Sequence, residues 1–134
     1  MYAAPPIANL IVLRSPDIER AAEFYRKLGL LFTLHSHGNG PEHYSSTVCG
    51  LVFEIYPARN ENDLTTNTRI GFNVDSVDAV VEMLVKIEVE IVSSPKDSEW
   101  GRRAVVRDFD GHTVELLTPP NREQAIADQF QNNT

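Results

Sequence analysis

Apolar residues recur at helical spacing in two stretches of the chain that lie 59 positions apart. The apolar positions are Ile18, Ala21, Ala22, Tyr25 and Leu28 in the first stretch and Val77, Val80, Val81, Leu84 and Ile87 in the second. A spacing of three and four residues predicts an amphipathic helix in each stretch. The repeat indicates that the chain contains two copies of one structural unit.

Each copy also contains a predicted strand with one carboxylate inside an apolar run, Glu54 in 51–56 and Glu115 in 113–117. Successive side chains of a strand point to opposite faces, so the apolar neighbours face the helix and the carboxylates face away. The strand before each helix adds side chains to this second face. The face predicted in this way contains Arg14, Glu54 and Tyr56 in the first copy and Arg69, Asn73 and Glu115 in the second.

The length of 134 residues predicts a single domain over residues 1–134, and turn-forming residues predict the linker between its two copies. The first module is expected at about 7–57, a linker at 58–67, the second module at about 68–118 and a tail at 119–134. Each module has the predicted order β-α-β-β-β. The expected fold is therefore α+β, with two tandem modules that form a curved mixed sheet around a pocket.

Three local signals concern the ends of these elements. Ser15 is predicted to cap the first helix, since a serine hydroxyl can accept a hydrogen bond from the first turn. An Asp-Gly pair before His112 predicts a tight hairpin turn in which this histidine is exposed. Ile126 and Phe130 in the tail have helical spacing, so this segment could cover a second subunit.

Composition narrows the possible functions. The chain has 42% hydrophobic and 23% charged residues, as ordinary globular proteins do, and a formal net charge of −7. This charge argues against nucleic acid as a partner, because binding to phosphates requires clustered cations. The apolar runs are too short to span a membrane, and the single cysteine, Cys49, cannot form an internal disulfide. We therefore expect a cytoplasmic protein without a nucleic-acid or membrane partner.

Two segments of the chain are similar to one known family. Residues 13–25 resemble the strand-to-helix opening of the vicinal oxygen chelate superfamily, and residues 101–116 resemble its closing hairpin. This superfamily includes glyoxalase I, extradiol dioxygenases and bleomycin-resistance proteins, and the resemblance covers residues 7 to about 119. It implies a glyoxalase-like fold, a small-molecule ligand and a homodimer.

The resemblance also indicates where a metal would be bound in metal-using members, which take one ligand from the first and last strand of each module. The corresponding residues are Leu10, Glu54, Arg69 and Glu115. Leucine has no donor atom, and a guanidinium only donates hydrogen bonds. Two carboxylates in one semi-buried pocket need a cation, which Arg69 could supply. We therefore expect a small-molecule-binding protein with a largely metal-free acidic pocket, and no cofactor.

Two enzymatic alternatives remain open. The first is a metal-dependent lyase, isomerase or dioxygenase that acts on a substrate with vicinal oxygens and uses a divalent metal. The second is a metal-free enzyme in which a glutamate acts as base and Arg69 stabilises negative charge. The catalytic candidates are Glu54, Glu115 and His43, and the ligand-binding candidates are Arg14, Arg69, Asn73, Tyr56 and Trp100.

The histidines and the tryptophan each allow two interpretations. His35, His37 and His43 could form a metal set, but the Gly/Pro-rich sequence between them favours exposed loop positions for the first two. We expect His43, at the start of a strand, to reach the pocket and to transfer a proton or replace a metal ligand. Trp100 could form an aromatic wall for a ligand or cover the edge of the core.

Overall fold

The computed structural model describes residues 4–120. The chain divides into two compact units, and the division falls between Thr65 and Thr66. Within residues 4–120, each unit contains one α-helix and four strands in the order β-α-β-β-β. The predicted α+β fold with two βαβββ modules is therefore confirmed. The predicted helix around Ile126 and Phe130 lies outside the described residues.

The first unit forms a four-stranded mixed sheet. Its elements are β1 (Leu10–Ser15), α1 (Ile18–Lys27), β2 (Thr33–His35), β3 (His43–Val48) and β4 (Leu51–Pro57). The strand order is β1-β4-β3-β2, in which β1 and β4 are parallel and the other pairs are antiparallel. A 3-10 turn at Glu61–Asp63 follows β4.

The second unit repeats this topology. Its elements are β5 (Arg69–Asn73), α2 (Val77–Lys86), β6 (Glu90–Ser98), β7 (Gly101–Arg107) and β8 (Thr113–Thr118). The strand order is β5-β8-β7-β6, with β5 parallel to β8. The strand β6 is nine residues long, and its pairing with β7 contains register shifts.

Strand alternation places the core of each unit on the helix side of its sheet. In β4, Phe53 and Ile55 are 2% and 0% exposed, and Val114 and Leu116 of β8 are both fully buried. Burial of each such side chain stabilises the unit by about 1.5–3 kcal/mol. The predicted alternation is confirmed. Glu54 and Glu115 consequently each lie on the face of their own sheet that points away from the helix.

Each helix has an N-cap residue whose side chain accepts a hydrogen bond from the first turn. Ser76 caps α2, where its hydroxyl accepts the Ala79 N–H at 3.1 Å. The prediction that Ser15 caps α1 was wrong, because Ser15 still belongs to β1. The cap is Asp17, whose Oδ1 accepts the Arg20 N–H at 3.1 Å, while the Ser15 hydroxyl accepts the Asp17 N–H at 3.1 Å.

Neither α-helix in residues 4–120 has the length and apolar character that a membrane crossing requires.

Candidate functional site

The two units place a nitrogen-bearing side chain at the same position beside each carboxylate. His43 on β3 and Arg103 on β7 lie two residues before the strand partners of Glu54 and Glu115, respectively. Residues two apart on a strand share a face. Each carboxylate therefore has a diagonal neighbour across the sheet, which is a histidine in the first unit and an arginine in the second.

Two guanidinium groups hold Glu115 in the second unit. Arg69, from β5, makes a bidentate contact in which Nε lies 3.1 Å from Oε2 and Nη2 lies 3.0 Å from Oε1. Arg103, from β7, also donates to Oε1. The predicted pair of Arg69 with Glu115 is present, whereas the sequence patterns did not indicate Arg103.

These hydrogen bonds stabilise the ionised form of Glu115. The Arg69 hydrogen bond, followed by that of Arg103, lowers the pKa of Glu115 from 4.5 to about 2. A carboxylate with this pKa is a weak proton acceptor at neutral pH. The geometry therefore favours charge pairing at Glu115 over proton transfer.

A cavity of about 640 Å³ lies next to this cluster, within the second unit. Its lining comprises Gly71, Phe72, Asn73, Trp100, Arg103, Glu115 and Leu117. Trp100 is 65% exposed although it is the only tryptophan of the chain. A Cβ atom added to Gly71 would meet no atom closer than the Glu115 Cβ at 4.0 Å, so the wall is open there.

The ion-pair cluster beside this cavity contains more positive than negative charge. Glu115 contributes one negative charge, whereas Arg69 and Arg103 contribute two positive charges around the same carboxylate. The cluster therefore has an excess of one positive charge. Such an excess attracts anionic groups or oxygen acceptors of a ligand.

The corresponding face of the first unit contains a different group of side chains. The Nε2 atom of His43 lies 3.3 Å from Oε2 of Glu54. The His43 ring also stacks on Tyr56 with ring centres 4.1 Å apart, and the Arg14 guanidinium lies 5.0 Å from the centre of the Tyr56 ring. The structure thus brings together four of the residues that the sequence singled out as candidates.

Arg14 also has contacts that hold the end of β1 in place. Its N–H donates to the Thr65 hydroxyl at 3.0 Å, and its Nη1 lies 3.5 Å from the Pro57 carbonyl oxygen. Nη1 of Arg14 also lies 3.9 Å from Oδ2 of Asp63. These contacts within the first unit give Arg14 a structural role in addition to its position over Tyr56.

The three neighbouring histidines of the first unit differ in exposure. His35 and His37 are exposed, as predicted, but His35 ends strand β2 instead of lying in a loop. His43 is 1% exposed. The ring centres of His35 and His37 lie 6.0 Å and 5.3 Å from that of His43. His43 lies directly opposite His35 in the β2–β3 register.

The prediction that His112 is exposed in the turn was wrong. Its side chain is buried, with 1% exposure. Its Nδ1 lies 2.8 Å from Oδ2 of Asp108, while Oδ1 of Asp108 accepts the N–H groups of Asp110 and His112. These hydrogen bonds stabilise the turn of the hairpin. They also give the buried imidazole a polar partner in place of water.

The same three side chains, Asp108, Asp110 and His112, are the one group in residues 4–120 with three potential metal-ligand atoms within 4.8 Å of one another. The carboxylate of Asp108 already serves the turn through both of its oxygens. The group is therefore explained by the structure of the β7–β8 hairpin.

Comparison with known proteins agrees with the topology. The sequence model of the Glyoxalase/Bleomycin resistance protein/Dioxygenase superfamily matches residues 7–116. The chain belongs to this superfamily. No curated protein sequence matches it.

Several solved protein structures have the same fold as this chain, although their sequences are less than 25% identical to it. An antibiotic-binding protein, TnmS3 from Streptomyces sp. CB03234, is 23% identical with a TM-score of 0.68, and the match covers 88% of this chain and 99% of that one. A glyoxalase-related enzyme from Fulvimarina pelagi is 22% identical with a TM-score of 0.67, covering 85% and 88%. The oxidase ChaP-H2 is 18% identical with a TM-score of 0.70, covering 89% and 98%.

Metal-using members of the superfamily would take ligands at the positions of Leu10, Glu54, Arg69 and Glu115. In the first unit, Leu10 has no donor atom. In the second, Arg69 only donates, and it occupies both oxygens of Glu115. The residues at these four positions therefore do not fit the metal that the superfamily implies.

Proposed function

We propose that this superfamily member binds a small molecule in the cavity of its second unit and does not use Glu115 as a base. The observation that carries the proposal is the exposed indole of Trp100 on a cavity of about 640 Å³ that also contains the arginine-paired Glu115. Ligand pockets in proteins have volumes of about 300–1,000 Å³. An exposed tryptophan offers a large apolar surface that a ligand can cover.

The cavity lining indicates the chemistry of the ligand. Trp100, Phe72 and Leu117 supply apolar surface, and Asn73 adds an amide that donates and accepts hydrogen bonds. The excess guanidinium charge around Glu115 suits a carboxylate, a phenolate or another oxygen acceptor. We therefore expect a ligand that joins a flat apolar ring system to such an oxygen group.

The fold relatives support binding as a function of this scaffold. TnmS3 is an antibiotic-binding protein. We expect this chain likewise to bind a small molecule. We further expect that it does not convert this ligand and that it acts as a cytoplasmic homodimer.

The alternative of a metal-dependent lyase, isomerase or dioxygenase has less support. It would need a divalent metal at the superfamily positions, where Leu10 and Arg69 cannot act as ligands. A metal-free enzyme that uses Glu115 as base is disfavoured by the low pKa of this carboxylate, about 2.

Fluorescence of Trp100, the only tryptophan, can test the proposal directly. Titration with planar aromatic carboxylates should change the emission, and the neutral amides of the same compounds should bind more weakly. The variant Gly71→Val should weaken binding by about tenfold or more, because the added side chain fills open space in the cavity without backbone strain.

A matched control adds the same side chain outside the cavity. Ser94→Val changes an exposed position of β6 and should leave the affinity unchanged. The proposal would be wrong if no aromatic compound altered the emission at millimolar concentration. Equal affinities for wild type and Gly71→Val would also contradict it.

A further inference from the structure

His43 is a buried histidine with one ring nitrogen that has no hydrogen-bond partner. Its side chain is 1% exposed, and its Nδ1 lies 3.2 Å from the Pro41 carbonyl oxygen. Because a carbonyl oxygen only accepts, this hydrogen bond requires the proton on Nδ1. Nε2 is buried without a hydrogen-bond partner, and in a neutral ring with this tautomer it presents a lone pair.

This lone pair faces the carboxylate of Glu54. Nε2 of His43 and Oε2 of Glu54 are 3.3 Å apart, which is within ion-pair distance. The two atoms nevertheless do not form a hydrogen bond. Two acceptors at this distance repel each other unless a proton, a donor or a cation lies between them.

The second unit shows how the same position is neutralised there. Glu115 has guanidinium partners in Arg69 and Arg103. The register places Leu10 where the second unit has Arg69, since Leu10 is paired to β4 as Arg69 is paired to β8. Glu54 therefore has an apolar neighbour and an imidazole lone pair where Glu115 has two cations.

An imidazole nitrogen and a carboxylate oxygen together are typical ligands of zinc and related divalent metals. Histidines that bind such metals usually donate their other N–H to a carbonyl or carboxylate, as His43 does to Pro41. His35 and His37, with ring centres 6.0 Å and 5.3 Å from that of His43, are both exposed, so their side chains have room to rotate.

We infer that the first unit binds one zinc-class divalent metal ion through Nε2 of His43 and the carboxylate of Glu54, with His35 and His37 completing the coordination. Three of these four residues lie outside the positions from which metal-using relatives draw their ligands, and all four belong to the first unit. The inference does not depend on ligand binding in the second unit, which uses other residues.

Zinc titration of the full-length protein, first stripped with a chelator, tests this inference by calorimetry. Cobalt substitution adds an absorption spectrum that reports coordination by nitrogen and oxygen. We expect one ion per chain, with affinity lowered by about tenfold or more in Glu54→Gln, and by a similar factor in His37→Asn or His35→Asn. These substitutions avoid the buried His43, and circular dichroism checks that the fold is retained.

Two control variants separate this site from nearby and competing carboxylates. Glu42→Gln removes an exposed carboxylate next to His43 and should leave zinc affinity unchanged. Asp110→Asn alters the Asp108–Asp110–His112 group and should also have no effect. Any of four results would overturn the inference: no zinc binding, binding unchanged in Glu54→Gln, binding unchanged in both histidine variants, or loss of binding in Asp110→Asn.

Discussion

Glu54 and Glu115 occupy the same position in the two units, but their neighbours give them different chemistry. Glu115 contacts two guanidinium groups, and its pKa falls to about 2. Glu54 faces the Nε2 atom of His43 at 3.3 Å. Two residue exchanges on the neighbouring strands, Leu10 for Arg69 and His43 for Arg103, thus separate a candidate metal ligand from a fixed ion pair.

The sequence indicated one part of this arrangement and missed another. Arg69 could be assigned to Glu115, since both lie on the same face in the predicted alternation. Arg103 was missed because its pairing with Glu115 depends on the β7–β8 register, which alternation alone does not determine. The signal was present: His43 and Arg103 are 60 positions apart, close to the repeat offset of 59.

The ion pairs of Glu115 predict a pH-dependent contribution to stability. Its folded-state pKa is depressed, so the stabilisation is present above pH 4.5 and is lost as the pH falls from 4.5 to about 2. Without solvent screening, this pKa change would contribute roughly 3 kcal/mol to the free energy of unfolding. Because 30% of the Glu115 side chain is exposed, we expect screening to reduce the contribution to about 1–2 kcal/mol. Glu115→Gln should be less stable than wild type by that amount near neutral pH.

Urea unfolding at several pH values measures this difference. It should shrink toward zero between pH 4.5 and about pH 2, where the wild-type carboxyl takes up its proton. Glu82→Gln, at an exposed position of α2, is the matched control and should show no pH-dependent difference. A difference between Glu115→Gln and wild type that persisted unchanged at low pH would contradict the assignment.

At the scale of elements, the sequence predicted the two helices and eight strands of residues 4–120, because most of them place apolar side chains at regular spacing toward a core. The short strand β2, in which all three residues are exposed, is an exception. Details at the element ends were harder to predict. Ser15 remained in β1 because the strand continues to pair with β4 up to that residue, which moved the cap to Asp17. His112 was expected to be exposed because turns usually are, but it is buried, and its hydrogen bond to Asp108 replaces the contact with water.

The cap of α1 gives a prediction at this scale. Asp17→Ala removes the side-chain acceptor of the Arg20 N–H and should destabilise the protein by about 1 kcal/mol. Asp17→Asn keeps an equivalent acceptor and should stay within a few tenths of a kcal/mol of wild type. Thermal and urea unfolding of both variants would test the assignment. Equal destabilisation by alanine and asparagine would indicate that the charge, not the cap, matters.

At the scale of the molecule, the duplication was visible in the sequence, and the structure confirms it as two units of the same topology. The copies have diverged on their polar faces while retaining the same core pattern. The core is constrained by packing throughout each unit, whereas a polar face tolerates exchange of Leu10 for Arg69 or His43 for Arg103. Sequence periodicity therefore predicted the shared fold well and the separate chemistry of the two faces poorly.

This divergence predicts that two ligands protect different halves of the chain in hydrogen exchange. Bound ligands reduce local opening of the structure around their sites. Zinc should therefore slow exchange in peptides from 33–57, which contain His43 and Glu54. An aromatic carboxylate should slow exchange in peptides from 69–118. In Glu54→Gln only the zinc effect should disappear, and in Gly71→Val only the effect of the carboxylate. Zinc protection confined to 101–118 would instead identify the Asp108–His112 hairpin as the metal site, and protection of the same peptides by both ligands would contradict a division of function between the two units.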